Sequence, residues 1–130
     1  MPTLPRPTDA ELEILTVLWE RGPSTVRDVH EVLSRRKTSR YTTILKLLQI
    51  MTGKGLVERD ETERSHVYRA SLPPAQTQAQ LAGDLMQRAF GGSARGLMLG
   101  ALSARKASGK ELAEIRRMLE EYEKGLRGKR

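Results

Sequence analysis

Apolar residues recur every three to four positions along most of the chain, and the interruptions fall at glycine, proline or polar clusters. Thr8-Asp9-Ala10-Glu11 has the form of a capping box, and Leu12, Ile14, Leu15, Leu18 and Trp19 follow at helical spacing as far as Gly22-Pro23. A first, core-facing helix is predicted there. Thr25 and Asp28 repeat the box, and Val26, Val29 and Leu33, at i, i+3 and i+7, predict a second helix that fades near Arg35. Ser39 is expected to cap a third helix with a buried stripe of Ile44, Leu47, Leu48 and Met51. That helix should end around Gly53-Lys54-Gly55, where glycine admits the left-handed backbone of a C-cap. Its opposite face carries Thr42, Lys46, Gln49 and Gly53.

The period then changes. Leu56-Val57-Glu58-Arg59-Asp60 and His66-Val67-Tyr68-Arg69-Ala70 alternate apolar and polar residues around the polar stretch 61–65, which predicts a β-hairpin with a loose tip. Leu72-Pro73-Pro74 breaks this pattern, and proline is tolerated at a helix start but not inside one, so a domain boundary is placed there. Residues 75–90 and 94–104 read as a fourth and a fifth helix, separated by Gly91-Gly92. Ser108 and Glu111 frame a third capping box, after which Leu112, Ile115, Leu119, Tyr122 and Leu126 fall at intervals of 3, 4, 3 and 4. Such a helix either folds back on its own domain or pairs with a second copy; three short helices make a poor independent core, which favours pairing, with Leu97 in the same interface. The expected fold is mainly α with a small β-hairpin: a winged helix-turn-helix domain over residues 1–72, then a helical dimerisation domain over residues 73–130.

Composition narrows the function. The 130 residues hold 23 Lys plus Arg against 16 Asp plus Glu, a net charge of +7, which points to an anionic partner. The charge is uneven: residues 35–54 contain Arg35, Arg36, Lys37, Arg40, Lys46 and Lys54 and no acidic residue, whereas Asp9, Glu11, Glu13 and Glu20 collect on the first helix. A second basic surplus, Arg127, Lys129 and Arg130, reads as a solvated tail. With no cysteine, a disulfide scaffold, a thiolate metal site and a thiol nucleophile are excluded. Residues 1–7 lack the profile of a signal peptide, and no apolar run approaches the roughly 20 residues of a membrane span, so the protein is expected to be cytoplasmic.

Three helices and a hairpin within some 70 residues, with the basic segment on the third helix and the turn before it, match the way a winged helix presents an α-helix to the major groove. Arg40 is expected to anchor on phosphate, and Thr42, Thr43 and Lys46 to reach base edges. Tyr41 either packs against the second helix or lies along the DNA backbone. Arg64, at the hairpin tip, suits a minor-groove or phosphate contact, against the repulsion of Glu61 and Glu63 beside it. The competing reading is a protein-interaction module whose basic face is incidental; steep salt dependence distinguishes DNA binding from it. An enzyme is not expected, since there is no nucleophile-base pair, phosphate loop or metal-ligand spacing. His30 and His66 lie on different elements, and neither a metal nor a cofactor is assigned.

Thr8-Asp-Ala-Glu-Leu-Glu-Ile-Leu-Thr-Val-Leu-Trp19, Tyr41-Thr-Thr-Ile-Leu45, Lys54-Gly-Leu-Val57, His66-Val-Tyr68 and Arg88-Ala-Phe-Gly-Gly92 together resemble the signature stretches of the penicillinase repressor family, which includes methicillin-resistance repressors and copper-responsive relatives. The resemblance implies a homodimeric repressor with an N-terminal winged helix and a C-terminal dimerisation domain, binding a dyad operator whose half-sites in relatives are often of the TACA type. Two departures qualify it. Relatives commonly carry Arg-Leu where this chain has Ile50-Met51, which leaves the operator sequence open. In antibiotic-responsive relatives a membrane sensor metallopeptidase triggers cleavage at an Asn-Phe bond, and the matching place here is Gly100-Ala101. Copper sensing through C-terminal cysteines is excluded by their absence.

Overall fold

The computed structural model describes residues 5–128; Lys129 and Arg130 of the basic tail lie outside the described residues, as do residues 1–4. Two capping boxes set the first two helices. In α1 (Asp9–Arg21) the Thr8 hydroxyl accepts from the Glu11 N–H at 3.2 Å, while Glu11 Oε1 accepts from the Thr8 N–H at 2.9 Å. The same reciprocal pair, Thr25 and Asp28, opens α2 (Val26–Ser34) at 3.1 and 3.0 Å. Each box satisfies two N–H groups that a helix start otherwise leaves without partners.

Between these helices lies a strand that periodicity did not reveal, β1 (Ser24–Thr25). Two residues are too short to show alternation, and their pairing depends on a partner more than 40 positions away, Ser24 facing Tyr68 and Thr25 facing Val67. The expected two-stranded hairpin is therefore a three-stranded antiparallel sheet in the order β1-β3-β2, with β2 (Val57–Asp60) and β3 (Val67–Ala70) paired from Val57 opposite Ala70 to Asp60 opposite Val67. The buried Tyr68 on the central strand ties the sheet to the helices.

The third helix, α3 (Tyr41–Lys54), starts one residue later than Ser39 capping requires. Arg40 is the N-cap, without a side-chain bond; its extended backbone (φ −88°, ψ 141°) turns its carbonyl toward the Thr43 and Ile44 N–H groups at 3.1 and 3.2 Å. The Ser39 carbonyl instead accepts a hydrogen bond from the His30 ring at 2.8 Å. At the other end Gly55 is left-handed (φ 81°), and the Leu56 N–H returns to the Met51 carbonyl at 2.9 Å, which closes the helix and turns the chain into β2.

One core joins these elements: Ile14, Leu15, Val17 and Leu18 of α1, Val26, Val29 and Leu33 of α2, Ile44, Leu48 and Met51 of α3, with Leu56, Val57 and Tyr68. Leu47, expected in the buried stripe, packs at its edge. The Trp19 indole N–H donates to the Leu72 carbonyl at 3.2 Å, fixing the exit from the sheet.

The chain forms two compact units, Met1–Asp84 and Leu85–Arg130, with the division inside α4 (Pro74–Ala89). In the second unit, α5 (Ala94–Ala104) is capped by Ser93 and α6 (Gly109–Gly128) begins with the Glu111 N–H bonded to the Ser108 hydroxyl at 3.0 Å. The Phe90 ring lies over Gly96 and Gly100; a Cβ at Gly100 would sit 3.0 Å from it, so a larger residue there would require the ring to shift. Neither α5 nor α6 has a buried residue, and Leu99, Leu102, Met118, Leu119, Tyr122 and Leu126 are exposed. No helix among the described residues is long and apolar enough to cross a membrane.

Candidate nucleic-acid interface

The basic segment divides once ion pairs are assigned. Lys37 reaches Glu13 at 2.8 Å, Arg36 reaches Glu20 at 3.6 Å and Lys54 reaches Glu11 at 2.7 Å, so half of the cations of residues 35–54 are held by the acidic side of α1. Among the described residues Arg35, Arg40 and Lys46 make no ion pair, and all three are exposed. Neutralising the α1 side concentrates the uncompensated positive charge toward the α3 face.

Lys54 has a separate role. Glu11 is 2% exposed, and a single carboxylate oxygen accepts from both the Thr8 N–H and the Lys54 ammonium, which also donates to the Arg6 carbonyl at 3.2 Å. Burial pushes the Glu11 carboxyl up, but the Lys54 and Thr8 hydrogen bonds together outweigh it and hold the group below the ordinary glutamate value. This contact fastens the end of α3 to the start of α1.

On α3 itself Thr42, Thr43, Lys46, Gln49, Ile50 and Gly53 are exposed, opposite the buried Ile44, Leu48 and Met51. Three, four and seven residue separations stack these exposed positions on one side of the helix. Arg40, Thr42, Thr43 and Lys46 thus share the outer surface of the helix or its N-cap. Tyr41 packs its ring edge-on against His30, centroids 5.9 Å apart, and is still 47% exposed. Of its two expected environments, the neighbour on α2 is present as His30.

Between the start of α2, α3 and the hairpin is an open cleft of about 760 Å³, lined by Arg27, His30, Tyr41, Leu45, Arg64 and His66 among others. Arg64 is placed at its hairpin side, and the neighbouring Glu61 is held by Arg59 at 2.9 Å, which lessens the repulsion expected from that acid. Arg27 is a cleft residue that sequence reasoning passed over. It is exposed, makes no ion pair with a described residue, and sits in the first turn of α2. Its nearness to a capping box was the available signal. The cleft also brings His30 and His66 to one surface; His30 serves the Ser39 turn, and His66 lies 3.9 Å from Glu61.

The residues assigned to dimerisation lie in the second unit: Leu97, Leu112 and Ile115 are partly buried, while Leu119 and Tyr122 are exposed.

Comparisons with known proteins agree with this architecture. The chain is 34% identical over 126 residues to the transcriptional regulator BlaI of Mycobacterium tuberculosis, covering 96% of this chain and 91% of that protein. It is 26% identical over 122 residues to the penicillinase repressor of Bacillus licheniformis, covering 94% and 95% of the two chains. Among solved structures, the DNA binding domain of the repressor BlaI matches with a TM-score of 0.51 at 28% identity, covering 58% of this chain and 92% of that one. The B. licheniformis BlaI monomeric form in complex with the blaP half-operator matches over the same shares with a TM-score of 0.50, also at 28% identity. A family model described as penicillinase repressor matches residues 7–121, and the chain belongs to that family.

Proposed function

We propose that this protein represses transcription as a homodimer, each copy placing α3 of its winged helix in the major groove of one half of a dyad operator in double-stranded DNA. The observation that carries the reading is the exposed face of α3 with its N-cap: among the described residues Arg40 and Lys46 make no ion pair there, beside Thr42 and Thr43, and Arg27 and Arg64 line the cleft alongside. Unpaired guanidinium and ammonium groups are suited to phosphates, and short hydroxyl side chains with a lysine to base edges. The relative solved with a half-operator supports one winged helix per half-site. A repressor turns over no substrate, and the chain's place is with the DNA in the cytoplasm.

Support for the dimer comes from the second unit. Its helices bury no residue of their own, and the seam of Leu112, Ile115, Leu119, Tyr122 and Leu126 runs along α6 at the spacing of a two-stranded helical interface. A domain with this little core gains its stability from a partner copy. The membrane sensor metallopeptidase implied by the family resemblance is the proposed trigger of derepression; Gly100-Ala101 stands where relatives carry Asn-Phe, so cleavage is either absent or relocated in this chain.

Footprinting tests the reading. On duplexes recovered by the full chain from a random-sequence library, protection is expected as two patches about one helical turn or slightly more apart. A single asymmetric patch at saturating protein contradicts it.

A further inference from the structure

Within the first unit only Tyr41 and Ile50 are large apolar side chains left exposed among the described residues. Tyr41 has His30 as a neighbour. Ile50 is 44% exposed, and it lies on the outer side of α3, four residues after Lys46 and seven after Thr43. Those separations stack Thr43, Lys46 and Ile50 along one line of the helix surface. An isolated exposed aliphatic residue is ordinary on most surfaces. Here it shares a face otherwise made of Thr42, Thr43, Lys46, Gln49 and Gly53, all exposed and all except glycine able to form hydrogen bonds.

We propose that Ile50 is a specificity-determining residue that reads the C5 methyl group of a thymine in the major groove; this rests on the assignment of α3 as the DNA-reading helix. The major-groove edges of the four base pairs present donors, acceptors and a single apolar group, the thymine methyl. An isoleucine can neither donate nor accept, so against any other edge it strips water from a polar group and gives nothing in return. Against thymine it buries a methyl and part of its own side chain. Being β-branched, its first torsion is restricted, so the position of its methyl groups is set by the helix. Lys46, one turn earlier, would then engage a neighbouring base pair or phosphate while Ile50 selects A·T over G·C further along.

The test uses duplexes recovered from a random library by the full chain, with each thymine replaced one at a time by deoxyuridine, which removes only the methyl. Within each half-site one substitution should weaken binding about fourfold, the worth of one buried methyl-sized carbon, and Ile50→Ala should bind the thymine and uracil duplexes equally. Placing 5-methylcytosine for cytosine at that position should recover part of the loss seen with a G·C pair, in the native chain only. The uracil scan itself needs no variant, so it reports even where a substitution lowers stability. Sequence-selective binding that is indifferent to every thymine methyl, or a uracil penalty retained in full by Ile50→Ala, overturns the assignment and leaves the repressor reading intact. Failure to recover any preferred duplex overturns both.

Discussion

Replacing Lys54 with methionine separates a structural lysine from a DNA-binding one. Its ammonium lies 2.7 Å from a Glu11 oxygen, with the Glu11 side chain 3% exposed and the Lys54 side chain 35% exposed. Breaking a fully buried pair costs about 3 to 5 kcal/mol, and an exposed pair is worth about 0 to 1 kcal/mol. One partner here is buried and the other reaches water, and the carboxylate keeps its Thr8 N–H after the change. The expected loss is therefore about 2 kcal/mol, which for a domain of this size lowers the melting temperature by about 10 °C. The pH dependence has a definite sign. Glu11 has a lowered pKa in the folded chain, so the pair contributes fully above the ordinary value of 4.5 and the contribution is lost as pH falls through the lower folded value. In Lys54→Met one of the two lowering partners is gone while Thr8 and burial persist, so the stability deficit should narrow as the solution is acidified and Glu11 takes up a proton. Thermal melts followed by circular dichroism from neutral to acid pH, with DNA binding measured well below the transition, provide the assay. An unchanged melting temperature together with a salt slope reduced by about 1 would show that Lys54 contacts phosphate, and would refute the ion-pair account.

Arg40→Ala and Arg27→Ala should each weaken operator and scrambled duplexes alike and reduce the salt slope by about 1, as loss of one phosphate contact does; equilibrium titrations at several salt concentrations decide it, and an effect confined to the operator contradicts the assignment. Sedimentation should find the native chain a dimer and the chain with charged replacements at both Ile115 and Leu119 a monomer, and an unchanged dimer moves the interface away from the α6 seam.

Much of the first unit is visible in its sequence because the features are local. Thr8 with Glu11, Thr25 with Asp28, and Gly55 after the third apolar stripe act within one helical turn, and each lies where the chain pattern places it. What pattern reading missed is non-local. The two-residue β1 exists only through pairing with Tyr68 and Val67. Likewise the basic run of residues 35–54 looked uniform until folding set Arg36, Lys37 and Lys54 against acids of α1, leaving Arg35, Arg40 and Lys46. Charge counted along the chain cannot distinguish these groups, because ion pairing is decided by helix packing. Residue type alone makes Ser39 the expected cap, whereas the Ser39 carbonyl is bonded by the His30 ring and the helix begins after Arg40.

The most direct measurement of the central claim is a pair of binding isotherms, selected duplex and scrambled duplex, for the native chain and Lys46→Ala across a range of salt concentrations. If α3 reads bases, the native chain prefers the selected duplex and binds both more weakly as salt rises. Lys46→Ala should then lose on the order of 1 to 3 kcal/mol on the selected duplex and little on the scrambled one. Equal, salt-insensitive binding of both duplexes by the native chain would contradict the claim that this helix recognises DNA.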